Sequence, residues 1–146
     1  VATTDQIYVI DEPTEKIEKV YNLKGAKGAI SIAYAPEEKL LFVVSQGTDN
    51  LQILDATDGK LKADVKVGAG PLAVVWEPVR KQAYVANRGS DSVAVVDVNG
   101  NLVANLPGGS YANHVFTDGK GTVWSVNKAR GENDPQGDHI SRYAAK

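Results

Sequence analysis

Short apolar runs of four to seven residues, parted by turns rich in Gly, Asp, Asn and Pro, recur along the chain with a period near 42 residues. One series closes each time on an aspartate: Ile7-Tyr8-Val9-Ile10-Asp11, Leu51-Gln52-Ile53-Leu54-Asp55 and Val93-Ala94-Val95-Val96-Asp97. A second holds Leu41–Val44, Ala83–Ala86 and Val123–Val126. A third holds Ile30–Tyr34, Leu72–Trp76 and Ala112–Phe116. No stretch keeps the i, i+3, i+4, i+7 spacing of an amphipathic helix, whereas Val, Ile, Leu and Tyr fill runs of strand length. The pattern predicts an all-β chain.

The unit from Ala29 to Val67 shows four strands per period: Ile30–Tyr34, Leu40–Val44, Leu51–Asp55 and Leu61–Val67. The next repeats them as Leu72–Trp76, Gln82–Ala86, Ser92–Asp97 and Leu102–Leu106, with Asn99-Gly100 as a hairpin turn. The runs are nearly continuous rather than alternating, which suits sheets covered on both faces. Self-similarity at this period, with four short antiparallel strands per unit, is the signature of β-propeller blades. The expected organisation is a single partial propeller. Residues 1–24 end one blade, 29–67 and 71–106 are full blades, and 111–146 form a final incomplete blade with an insertion loop at 128–139.

Two N-terminal strands and three C-terminal ones flank the full blades, giving thirteen strands and a little over three blades. Closed propellers hold four to eight blades. The reading is therefore an arc, expected from a seven-bladed parent, whose bare sides are covered by missing blades or a second copy. The sequence begins at Val1 without an initiating Met, as a mature or trimmed product would.

Tyr84-Val85-Ala86-Asn87, followed by Gly89-Ser90-Asp91-Ser92-Val93, closely resembles the repeat that names the YVTN family of bacterial β-propellers. Gly68-Ala69-Gly70-Pro71 resembles that family's Gly-x-x-Pro lead-in to the next blade. The C-terminal stretch, with its long polar loop before a last strand, is similar to the final blade of the YncE-like periplasmic members. The resemblance implies a periplasmic or otherwise extracytoplasmic bacterial setting. It implies little about activity, because members share blades rather than a catalytic site. The last unit departs from the pattern, reading Gly108-Gly109-Ser110-Tyr111 where the lead-in stands and Trp124-Ser125-Val126-Asn127 where the motif stands.

A net charge of −2 offers no electrostatic footprint for a phosphate backbone or an anionic membrane, and no run is long enough to span a bilayer. The absence of cysteine removes disulfides and thiolate metal sites. No nucleophile elbow, phosphate loop or His-Glu-x-x-His pair occurs. Asp11, Asp55 and Asp97 fit turn capping better than a shared carboxylate ring, because equivalent positions lie far apart around a propeller. In the 128–139 loop, Glu132, Asp134 and Asp138 are oxygen ligands of the kind calcium takes, but lack the spacing of a calcium loop.

Loops between second and third strands, and from a fourth strand into the next blade, emerge on one face. That face gathers Asn87, Arg88, Tyr111, Asn113, His114, Lys128 and Arg130, the expected ligand- or partner-binding residues. The expected function is a non-catalytic binding or scaffold module with no cofactor, recognising an unknown protein or small-molecule ligand through this rim. Single-stranded nucleic acid is a minor alternative partner, by stacking on Tyr and Trp. The rival is a propeller enzyme, lactonase- or quinoprotein-like, with its site at the channel mouth around His114.

Overall fold

The computed structural model describes residues 1–144. Among these residues the chain forms thirteen strands and no helix. Strands β1 (Gln6–Asp11) and β2 (Lys16–Asn22) form a two-stranded sheet. Strands β3 (Ala29–Ala35), β4 (Leu40–Ser45), β5 (Asn50–Asp55) and β6 (Leu61–Lys66) form a four-stranded antiparallel sheet in chain order. So do β7 (Pro71–Glu77), β8 (Gln82–Asn87), β9 (Ser92–Asp97) and β10 (Leu102–Pro107). A three-stranded sheet follows, of β11 (His114–Thr117), β12 (Thr122–Val126) and β13 (Ile140–Ala144). The fold is all-β, built of propeller blades.

Pleating explains the unbroken apolar runs. Successive side chains of a strand point to opposite faces, and here both faces meet a neighbouring sheet. On β4, Phe42 and Val44 join Trp76, Val85 and Val96 of the following sheet. Leu41 and Val43 turn the other way, onto Ile7 and Tyr21 of the β1–β2 sheet. On β8 the same split sends Val85 backward and Tyr84 forward, to Val123 of the last sheet. Phe42 is fully buried and stacks on Trp76 at 5.0 Å between ring centroids. Burying a side chain of that size contributes roughly 1.5–3 kcal/mol.

The first strand of each unit lies against the first strand of the next, β3 on β7 and β7 on β11, and so marks the inner edge. In both full blades it carries a bulge at its start, at Ile30 and at Leu72. Strand β11 pairs with β12 without a bulge, from His114 opposite Val126. It starts two residues later than the apolar run from Ala112 predicts. Ala112 is buried in the connector, following Tyr111 in a left-handed backbone conformation that delays the strand.

The recurring aspartates belong to turns. Asp55 accepts from the Thr57 amide at 2.9 Å, and Asp97 from the amides of Asn99 and Asn101, each at 2.9 Å. Asp11 takes the Thr14 amide at 3.1 Å. Each carboxylate replaces backbone partners that its turn leaves unsatisfied.

Candidate functional site

One aspartate series had a less evident purpose. Asp49 and Asp91 lie 42 residues apart in the β4–β5 and β8–β9 loops, both in left-handed backbone, with φ of 50° and 51°. Each backbone carbonyl accepts from the connector into the next blade: Asp49 from Val67 at 3.1 Å, Asp91 from Gly108 at 2.9 Å. Each carboxylate also reaches further along that connector, to the amide of Gly70 at 2.8 Å and that of Tyr111 at 2.9 Å. The connector then bonds to the loop of its own blade, through Arg88 N–H to Gly70 O at 3.0 Å and Lys128 N–H to Ser110 O at 3.0 Å. Loops of successive blades are thereby laced into one rim.

Within that lacing, Gly28, Gly70 and Tyr111 occupy corresponding places, with φ of 69°, 59° and 48°. Glycine adopts this conformation freely; a tyrosine there is an outlier. A Cβ on Gly28 or Gly70 would approach Gly47 N or Gly89 N to 3.2 Å. In the last blade the tight β–β loop is replaced by 128–139, and a large side chain occupies the connector.

Tyr111 is half-buried, and two guanidinium groups reach its ring: the Cζ atoms of Arg88 and Arg130 each lie 4.6 Å from its centroid. Arg130 Nη2 donates to Asp91 Oδ2 at 2.5 Å, which raises the Arg130 pKa above its ordinary value. The same carboxylate therefore holds the Tyr111 backbone through one oxygen and Arg130 through the other. Arg88 is exposed and has no carboxylate partner among the described residues.

The 128–139 loop is braced by its own acidic groups. Asp134 accepts from the Arg130 amide at 2.9 Å, the Gln136 amide at 3.0 Å and the Ser110 hydroxyl at 3.0 Å. These bonds, the Arg130 amide first, hold its carboxyl below the usual range. Asp138 accepts from the Ala129 amide at 3.2 Å. Among the described residues no three His, Cys, Asp or Glu side chains gather as metal ligands.

The other residues expected at the rim are placed differently. Asn87 ends β8 fully buried, its Nδ2 donating to Ser92 Oγ at 3.2 Å, so it supports the loop from below. Asn113 is half-buried and gives its amide to Val126 O at 2.9 Å, closing the β11–β12 pair. Lys128 is exposed beside Ser110. His114 is exposed at the start of β11, and its ring makes no hydrogen bond among the described residues. The structure thus unites Arg88, Tyr111 and Arg130 and leaves His114 outside that cluster. Asp91 and Asp134 complete it. The 42-residue recurrence of Asp49 and Asp91 was the sequence signal for the former; nothing in the spacing marked the latter. A groove of about 590 Å³ lies elsewhere, along the inner strands between Tyr34, Trp76 and Thr117.

Neither a protein-family model nor a curated protein matches the chain. Among solved structures it is similar to hydrazine synthase from Kuenenia stuttgartiensis, at 20% identity and a TM-score of 0.79, covering 88% of this chain and 37% of that one. It is also similar to the WD40 domain of Pan2 from Neurospora crassa, at 7% identity and a TM-score of 0.73, covering 97% of this chain and 44% of that one. Both are β-propeller folds. The chain therefore spans less than half of either neighbour, and the likeness establishes the blade architecture alone. Among the described residues no helix is long and apolar enough to cross a membrane.

Proposed function

We propose that this chain is a binding module of a YVTN-type bacterial propeller, recognising its partner through the rim built on Arg88, Tyr111 and Arg130. The observation that carries the reading is Tyr111 itself. It holds a backbone conformation that the two preceding blades give to glycine, and strain of this kind costs of order 1–3 kcal/mol. Scaffold geometry alone is served by Gly28 and Gly70. The tyrosine adds a large amphipathic ring flanked by two arginines, and such side chains dominate recognition energetics. The repeat resemblance supports an extracytoplasmic location.

The test is retention of a partner from an extract of the source cells, read by mass spectrometry against matched variants. Replacing Arg88, Tyr111 and Arg130 together with Ala should remove a protein or ligand that the parent chain retains. Replacing Glu37 and Lys39, in the β3–β4 turn at the opposite end of a blade, should leave it bound. Equal retention by both variants would refute the reading.

A further inference from the structure

The chemistry of the rim also specifies what it recognises, given the binding role just described. Arg88 and Arg130 differ in how their charge is met. Asp91 neutralises Arg130, whereas Arg88 is fixed by the Tyr111 ring alone. A guanidinium's N–H donors lie in its own plane, so attraction to an aromatic face can hold it while leaving donors for a further partner. It is thereby ordered without its hydrogen-bonding fork being used. The Tyr111 hydroxyl likewise has no partner among the described residues, and Lys128, exposed on the same connector–loop lacing, has no ion pair among them.

We infer that Arg88 is the recognition group for a single carboxylate, an Asp or Glu side chain of a protein partner, which it takes bidentately beside the Tyr111 hydroxyl. A planar fork matches a carboxylate in two parallel N–H···O bonds. Asp91 is already engaged by Arg130, Asp134 by two amides and the Ser110 hydroxyl, and the whole chain carries −2. That environment disfavours a run of phosphates and leaves room for one localised negative charge. Prior ordering of Arg88 on the ring lowers the side-chain entropy lost on binding.

The experiment is an NMR titration of the ¹⁵N-labelled chain with the capped tripeptide acetyl-Gly-Glu-Gly-amide, following the Arg88 Nε–Hε signal. The Gln tripeptide, inorganic phosphate and an oligothymidylate serve as comparison probes. The Glu tripeptide should shift the Arg88 signal saturably, and the Gln tripeptide should not. Arg88→Gln should abolish Glu-tripeptide binding, read at the Tyr111 amide. Arg88→Lys, which keeps charge but loses the fork and the stacking, should weaken it roughly tenfold. No saturable shift with the Glu tripeptide, equal binding by Arg88→Gln, or saturation by phosphate or oligothymidylate in preference to the Glu tripeptide would overturn the inference. If partner retention still falls in the triple-Ala variant, the carboxylate assignment alone is lost. If retention is unaffected, the rim reading falls with it.

Discussion

The connector from β6 to β7 and the connector from β10 to β11 are made with the same clasp and used for different ends. In each, an aspartate in left-handed backbone takes one amide with its carbonyl and another with its carboxylate. In the first, the clasped residue is Gly70, pressed against Gly89, and the loop beyond is tight. In the second it is Tyr111, and an insertion carrying Arg130 folds over its ring. Conserved geometry with changed occupancy separates scaffold from site more sharply than any single residue does. The first connector shows what the blades need in order to follow one another. Whatever the second adds beyond that serves some other purpose.

The largest effect should come from the core that the two full sheets share. Phe42→Ala empties the contact with Trp76 in the core between the two full sheets and should cost about 3–5 kcal/mol in chemical denaturation. It should leave the Arg88–Tyr111–Arg130 signals of the still-folded fraction in place. Exchanging the two clasped residues sharpens the contrast. Gly70→Tyr forces a side chain into a φ of 59° where its Cβ would crowd Gly89 N, and should destabilise by roughly 1–3 kcal/mol. Tyr111→Gly relieves the same strain while removing the ring, so its stability should stay within about 1 kcal/mol of the parent and its partner retention should vanish. Equal destabilisation by both would mean that Tyr111 is a packing residue, and the comparison would lose its meaning.

Strand content was legible because the apolar runs are both short and covered on two faces. Leu41 and Phe42, adjacent in sequence, belong to different cores, and that is why the runs do not alternate. Turn chemistry at Asp55 and Asp97 was legible for the same local reason. The rim was legible only as a set of loops. That Arg88 and Arg130 share one ring depends on the backbone of Tyr111, and nothing in the local sequence reports a positive φ at a tyrosine. Asn87 reads as a rim residue from its place after a strand, yet its side chain points into a buried bond with Ser92. Burial of a polar group at a strand end depends on the neighbouring loop, in this case Ser90 and Ser92.

A smaller test separates the two carboxylates of the clasp. Asn at position 49 or 91 keeps an oxygen for the next connector's amide, so the clasp itself should survive in both variants. Asp49→Asn should change little, because its carboxylate has no salt bridge among the described residues. Asp91→Asn releases Arg130, which should broaden the Arg130 side-chain signals while the Tyr111 amide keeps its bond. Loss of the Tyr111 amide bond in Asp91→Asn alone would show that the ion pair, rather than the cap, holds the connector.

The gentlest perturbation is acid, and it too discriminates between regular and inserted chain. Asp55, in the β5–β6 turn, is held down to about 2 by the Thr57 hydroxyl and amide. Asp134, in the insertion, is held below its usual value by the amides of Arg130 and Gln136 and the Ser110 hydroxyl. A carboxyl whose folded pKa is depressed contributes stability above its unfolded value and loses it as pH falls through the folded one. Both contributions are therefore complete at neutral pH and fail only on the acid side of 3.8, the ordinary value for either group. In a pH titration followed by amide shifts, Thr57 should hold its bonded position until about pH 2, where Asp55 takes up its proton. Arg130 and Gln136 should move separately, as Asp134 takes up its proton on the acid side of 3.8, while backbone bonds from Ser110 to Gln136 and from Asn127 to His139 tie the insertion to its blade, as those from Gly59 to Asp55 and from Asp55 to Lys60 close the turn. Simultaneous movement of all three amides would mean that the insertion unfolds only with the blades, and the second connector would be as rigid as the first.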